Sequence, residues 1–111
     1  MPLIRVSTSA NEIDEDQLVQ LLSAEISSLT GKPEKYVMVI VDKVNTILFD
    51  RTFEPSAYIE VKAIGSLDSK TISSSLCSIL ENNTNVKSNR IYLNIQSVEA
   101  TNWGYDKSVF G

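Results

Sequence analysis

The chain has 111 residues, enough for one small domain whose modest buried fraction makes self-association a natural source of extra stability. Its net charge is −4 and its basic residues are scattered, apart from Lys32 and Lys35, which excludes the basic stripe of a general nucleic-acid binder. It has no histidine and a single cysteine, Cys77, so a Ser-His-Asp triad, a Cys-His pair, a histidine-bound zinc and an intramolecular disulfide are all excluded.

Leu3 to Thr8 reads as a first strand. Asp14 can cap a helix, with Gln17 as its capping-box partner. Leu18, Leu21, Leu22, Ile26 and Leu29 then recur on one helical face. Gly31 stands where a left-handed terminating residue belongs and Pro33 blocks continuation, so the first helix is expected from Glu15 to Thr30. Tyr36 to Val41 is a continuous apolar, β-branched run and predicts a well-buried strand. A short strand is expected near Ile47-Leu48-Phe49, before Glu54-Pro55-Ser56 breaks the pattern.

The second half repeats this plan. Tyr58 to Ile64 alternates as a strand and ends at Gly65. Asp68 or Ser66 can cap a second helix with Ile72, Leu76, Ile79 and Leu80 as its apolar stripe, closed by Asn82-Asn83-Thr84-Asn85. Cys77, beside that stripe, is expected to be buried and inert. Ile91 to Val98 is a strand, and Trp103 to Phe110 is an aromatic tail with room for a short final strand. The fold class is therefore α+β: a single domain with pseudo-repeat halves, about 1–53 and 54–111. Two right-handed βαβ units give a four-stranded mixed sheet with both helices on one face. Apolar residues on the other face, from Val37 to Val41 and from Ile91 to Ile95, would then require a partner surface.

The opening Met1-Pro2-Leu3-Ile4-Arg5 lacks the apolar run of a secretory signal, and no stretch reaches the length of a membrane span. The expectation is a cytoplasmic protein without membrane attachment, consistent with its lone thiol.

Without histidine, the α-amino group is one of the few bases that titrates near pH 7 unaided. Proline after an initiator methionine permits removal of Met1, which leaves Pro2 as a secondary amine. In an apolar pocket its charged form is disfavoured and its pKa falls. A base so poised suits proton abstraction beside a carbonyl. Lys32 can grip a substrate carboxylate or merely complement a helix C-terminus. The backbone N–H groups at Ile64-Gly65 can meet an anion or form an ordinary turn. Tyr92 and Asn94, two apart on a strand, share a face and serve either a pocket or an interface. Trp103, Tyr105 and Phe110 offer a wall for an aromatic substrate or pack the tail.

In order and spacing these landmarks resemble the macrophage migration inhibitory factor (MIF) family of the tautomerase superfamily. They are Pro2, Thr30-Gly31-Lys32-Pro33, Glu54-Pro55, Ile64-Gly65, Arg90-Ile91-Tyr92-Leu93-Asn94 and Ser108-Val109-Phe110. The resemblance implies a homotrimer and keto–enol tautomerisation of phenylpyruvate-like aromatic 2-oxo acids, with no metal and no cofactor. It implies that Pro2, Lys32 and Ile64 come from one chain, Tyr92 and Asn94 from its neighbour, and that Trp103, Tyr105 and Phe110 complete the wall. It leaves a cytokine-like trimer with residual activity as the alternative, reached by unconventional secretion and acting through a receptor that sequence does not reveal. The chain departs from the family in three places. Ser56 and Ile59 stand where some members carry a Cys-x-x-Cys pair, so thiol–disulfide activity is not expected. Bulky Trp103 replaces a smaller apolar residue, and the Asp50-Arg51 segment differs.

Overall fold

A computed structural model describes all 111 residues. Strand β1 (Leu3–Thr8) leads to helix α1 (Glu15–Thr30) and strand β2 (Met38–Lys43), and β3 (Ala57–Ile64) leads to α2 (Ser69–Asn83) and β4 (Ile91–Val98). The four strands form one sheet in the order β2-β1-β3-β4. β1 pairs in parallel with β2 and β3 with β4, while β1 and β3 join the halves antiparallel. The expected pair of βαβ units is therefore present, with the seam between β1 and β3.

The helix ends follow from local chemistry. Asp14 accepts from the Gln17 N–H at 3.1 Å, and Gly31 closes α1 with φ 69°, its N–H donating to the Ser27 carbonyl at 2.9 Å. Of the two candidate caps for α2, Asp68 is the one used: its carboxylate accepts from the Thr71 N–H at 3.2 Å. The core lies between one sheet face and both helices. Ile4, Val6, Ile59 and Val61 meet Leu18, Leu22, Ile26, Ile72, Leu76 and Leu80, all at most 2% exposed. Each such side chain contributes roughly 1.5–3 kcal/mol of burial. Leu21 sits on the shoulder of the stripe and remains exposed, and Leu29 and Ile79 are half-buried.

Four expectations require correction. Tyr36 does not start a strand: Glu34–Tyr36 forms a 3-10 turn behind Pro33, and pairing begins at Met38. The segment Ile47-Leu48-Phe49 forms no strand; only one bridge joins Phe49 to Thr52, across a turn in which Asp50 and Arg51 have φ of 49° and 62°. Cys77 is half-buried rather than buried, although desolvation pushes its thiol pKa up, outweighing a hydrogen bond from Ser73, and keeps it protonated.

The fourth correction concerns the open face of the sheet. Side chains alternate, so Val39, Val41, Leu93 and Ile95 lie toward the helices with Ile4 and Val61. The opposite face carries Met38, Ile40, Tyr58 and Tyr92, but also Glu60, Lys62, Asn94 and an Arg5–Asp42 ion pair of 2.9 Å. It is mixed rather than apolar. A continuous apolar run had concealed a period of two.

The tail turns back on itself as a small hairpin of β5 (Gly104–Tyr105) and β6 (Ser108–Val109). Asp106 and Lys107 both have positive φ, 50° and 67°, as its two-residue turn requires. No helix is long and apolar enough to cross a membrane.

Candidate functional site at the start of the first strand

Pro2 is buried at the head of β1, where its carbonyl accepts the Met38 N–H at 3.0 Å. This bond fixes the chain terminus against β2. Around it lies a cavity of about 470 Å³, bordered by Tyr36, Val37, Met38, Trp103, Tyr105 and Phe110, together with Met1 and Lys35. The tail hairpin supplies one wall. Tyr105 and Phe110 stack with ring centres 5.7 Å apart, and each meets the Tyr36 ring edge-on, at 5.9 and 6.2 Å. The three aromatic residues expected from the tail are thus brought to Pro2.

Tyr36 was not among the expected site residues. Its hidden signal was Pro33, which heads the 3-10 turn that carries Tyr36, whose ring meets Tyr105 and Phe110. The turn is closed by the Tyr36 N–H to the Pro33 carbonyl and the Val37 N–H to the Glu34 carbonyl, both 3.0 Å.

Neither Lys32 nor Ile64 lines this cavity; Lys32 acts on the terminal amine that does, and Ile64 ends the strand that runs alongside β1. The Lys32 backbone is held by Ser27 Oγ, which donates to its carbonyl at 2.6 Å, and by Thr30 Oγ1, which accepts its N–H at 3.3 Å. Its ammonium reaches the end of β3: a Cβ placed on Gly65 would stand 3.9 Å from Lys32 Nζ. Gly65 itself has φ 94°, a conformation that favours glycine. The antiparallel register pairs Leu3 with Lys62, so Pro2 comes alongside the Ala63–Ile64 end of β3.

The terminal amine reports the electrostatics. Met1 is present, so the Pro2 nitrogen is part of a peptide bond and the free amine is that of Met1. Partial burial lowers the pKa of this amine from 8.0, and the nearby Lys32 charge lowers it further. Both causes favour a neutral amine.

Tyr92 and Asn94 are elsewhere. Tyr92 is in register with Tyr58 and hence with Ser7, five residues along β1 from Pro2, or roughly 17 Å at about 3.3 Å per residue. It is 67% exposed and touches Phe49, ring centres 4.8 Å apart, at a separate apolar depression with Ile47, Leu48 and Tyr58. Asn94 lies in the row of Glu60 and Arg5, exposed on the open face. Within one chain neither reaches Pro2. No group of three or more His, Cys, Asp or Glu side chains is arranged to hold a metal ion.

Arg90 was read only as part of a landmark, yet it organises the neighbouring loop. It is 8% exposed, and its guanidinium donates to the carbonyls of Pro55, Thr52 and Glu54 at 3.2, 3.3 and 3.1 Å and to Ser56 Oγ at 3.0 Å. The Phe49 ring lies against it at 5.4 Å. Arg90 thereby sets the segment on which Tyr92 rests.

Comparison with known proteins accords with this architecture. The family model for macrophage migration inhibitory factor matches residues 1–111. The macrophage migration inhibitory factor of Xenopus laevis is 27% identical and that of Meriones unguiculatus 28%, each alignment covering 99% of both chains. Among solved structures, the homologue from Prochlorococcus marinus is 36% identical with a TM-score of 0.92, covering 98% of this chain and 99% of its own. The MIF-like protein of Entamoeba histolytica is 28% identical with a TM-score of 0.91, covering 98% of both. A whole-chain match, the paired βαβ units and a buried Pro2 beside Lys32 agree: this chain belongs to the macrophage migration inhibitory factor family.

Proposed function

We propose that the chain is a keto–enol tautomerase of phenylpyruvate-like aromatic 2-oxo acids, acting as a homotrimer once Met1 is removed. The observation that carries this reading is Pro2, buried beside a cavity walled by Tyr36, Trp103, Tyr105 and Phe110, with a cation next to it. An aromatic wall takes the ring of the substrate, and Lys32 with the backbone N–H at Ile64 takes the carboxylate.

In the forward direction the neutral Pro2 nitrogen removes a proton from the carbon between ring and ketone. The electrons of that C–H bond form the new C=C bond, and those of the C=O bond pass to oxygen. The prolinium returns its proton to that oxygen and gives the enol. Ketonisation runs the same steps backward. Nothing is consumed, and no cofactor takes part in the scheme. The role of the surroundings is to keep the amine neutral, since only its free form can accept the proton. Tyr92 and Asn94, distant within one chain, act at the site of the neighbouring chain. There Tyr92 closes the pocket and keeps the amine pKa low, and Asn94 bonds the far end of the substrate.

The test is tautomerisation of phenylpyruvate by the processed protein, by Pro2→Gly and by the form that retains Met1, with the intact mass of each recorded. Activity confined to the processed parent chain is the expected result. An inactive but correctly processed and assembled protein would overturn the proposal in favour of a binding or signalling role.

A further inference from the structure

The cavity beside Pro2 has a second cation. Lys35 lies in the 3-10 turn, borders the cavity and holds its Nζ 5.0 Å from the centre of the Tyr36 ring. The ring face attracts the ammonium and keeps it at the aromatic wall. Lys35 has no acidic partner. The ion pairs of the chain are Arg5–Asp42, Lys43–Glu15, Arg51–Asp50 and Arg90–Glu54. Glu34, its neighbour in sequence, is turned to α1, where it accepts from Ser23 Oγ at 3.0 Å. No carboxylate borders the cavity. Lys32 is likewise unpaired, and it stands at the end of β3 next to Gly65. Two unpaired cations of the α1–β2 connection thus serve this end of the molecule: Lys35 borders the aromatic cavity, Lys32 acts on the terminal amine that also borders it, and no carboxylate lines it.

A substrate carrying one carboxylate occupies only one of them. We infer that this pocket selects dianionic substrates, aromatic 2-oxo acids with a second carboxylate on the ring or its substituent, and that Lys35 is the residue that recognises the second charge. The inference rests on the tautomerase reading for the word substrate, while the binding preference rests on Lys35 at the border of a cavity that no carboxylate of its own chain lines. Lys35 is a specificity residue and takes no part in moving the proton. Because it is exposed, its contribution is that of a solvent-screened ion pair, about two- to fivefold in selectivity at low salt.

The experiment has two arms on the processed, assembled protein. The first compares kcat/KM for phenylpyruvate and for 4-carboxyphenylpyruvate in the parent chain, Lys35→Gln and Lys35→Glu. The ratio of the two substrates is the readout, which cancels any general loss. The expected order is a ratio favouring the dianion in the parent, abolished in Lys35→Gln and reversed in Lys35→Glu, with the preference shrinking as salt rises. The second arm measures binding of unreactive 1,4-phenylenediacetate against phenylacetate. Trp103, the chain's one tryptophan, borders the cavity, so its fluorescence reports occupancy without catalysis. A dianion preference that depends on Lys35 in this arm, with no turnover in the first, would retire the tautomerase reading and keep the inference. Turnover with equal ratios in the parent and Lys35→Gln, or equal binding of the two probes, would overturn the inference and leave the tautomerase reading intact.

Discussion

Replacement of Arg90 by alanine should be the most damaging single change outside the hydrophobic core. The guanidinium is 8% exposed and makes four hydrogen bonds, three to carbonyls of the 52–55 segment and one to Ser56 Oγ, whose residue is fully buried. The ion pair with Glu54 is 4.0 Å long, and the Glu54 side chain is 70% exposed, so it adds little. Hydrogen bonds from a charged donor are worth about 1.5–3 kcal/mol each, but four on one group are not additive. Truncation leaves Ser56 Oγ only the bond it donates to the Glu54 carbonyl at 3.0 Å and removes the group that lies against the Phe49 ring. We expect a loss of about 3–4 kcal/mol, a large part of the roughly 5–15 kcal/mol available to a domain. For a chain of this size that corresponds to a fall in Tm of roughly 15–25 °C. The Arg90→Lys variant keeps the charge, but a single ammonium cannot reach acceptors spread along this segment, so about half the loss should persist. Urea unfolding at fixed protein concentration, followed by circular dichroism, measures both. A cost below about 1 kcal/mol for Arg90→Ala would show that the loop holds itself and refute the clamp.

Further predictions concern the amine, the helix caps and the shared site. Burial first, and Lys32 second, depress the Met1 amine, and both causes act on a Pro2 amine freed at the same place, so kcat/KM of the processed chain should rise with pH as that amine loses its proton, and Lys32→Met should move the midpoint upward. A profile indifferent to Lys32 would remove its electrostatic role. Asp14→Ala should cost roughly 1 kcal/mol through loss of the α1 cap, visible in urea midpoints at neutral pH. The Thr71 hydroxyl and then the Thr71 N–H hold the Asp68 pKa below 3.8 in the folded state. Its contribution is complete above the unfolded value and disappears as pH falls through the folded one. Stability of the parent should thus converge on that of Asp68→Asn in strong acid, while the two differ at pH 7. Finally, mixing inactive Pro2→Gly with a crippled Tyr92→Ala, unfolded and reassembled together, should restore partial activity, because some mixed sites draw an intact Pro2 and an intact Tyr92 from different chains. No recovery in mixed trimers verified by mass would place both residues in one chain's site.

The periodic elements were legible because their signals are local. Asp14, Gly31 and Pro33 mark the ends of α1, and the stripe of Leu18, Leu22 and Ile26 needs no knowledge of the rest of the chain. The errors fell where neighbours in space decide. In Tyr36–Val41 every residue is apolar, so the run concealed both the 3-10 turn at its start and the alternation that sends Val39 and Val41 to the helices and Met38 and Ile40 to the open face. The Ile47–Phe49 run has strand composition but pairs with neither edge strand of this chain, making only the Phe49–Thr52 bridge. Phe49 is occupied instead by Arg90 and Tyr92, which are contacts over forty residues away in sequence that composition does not announce.

The site shows the same division more sharply. Pro2 and the tail aromatics come together through the first and last elements of the fold, while Lys32 and Gly65 meet at the end of β3 beside them. Tyr92 and Asn94 sit on the edge strand, displaced from Pro2 by two strand spacings of about 4.8 Å and by several residues along the strand. No side-chain rotation closes such a gap. Either these residues belong to the open face and nothing more, or a second copy brings its own Pro2 to them. The mixed character of that face favours the second alternative. On this face Met38, 61% exposed, and Tyr92, 67% exposed, stand among Arg5, Glu60 and Asn94. Apolar contacts edged by hydrogen-bonding groups suit an interface that must also serve as the wall of a pocket.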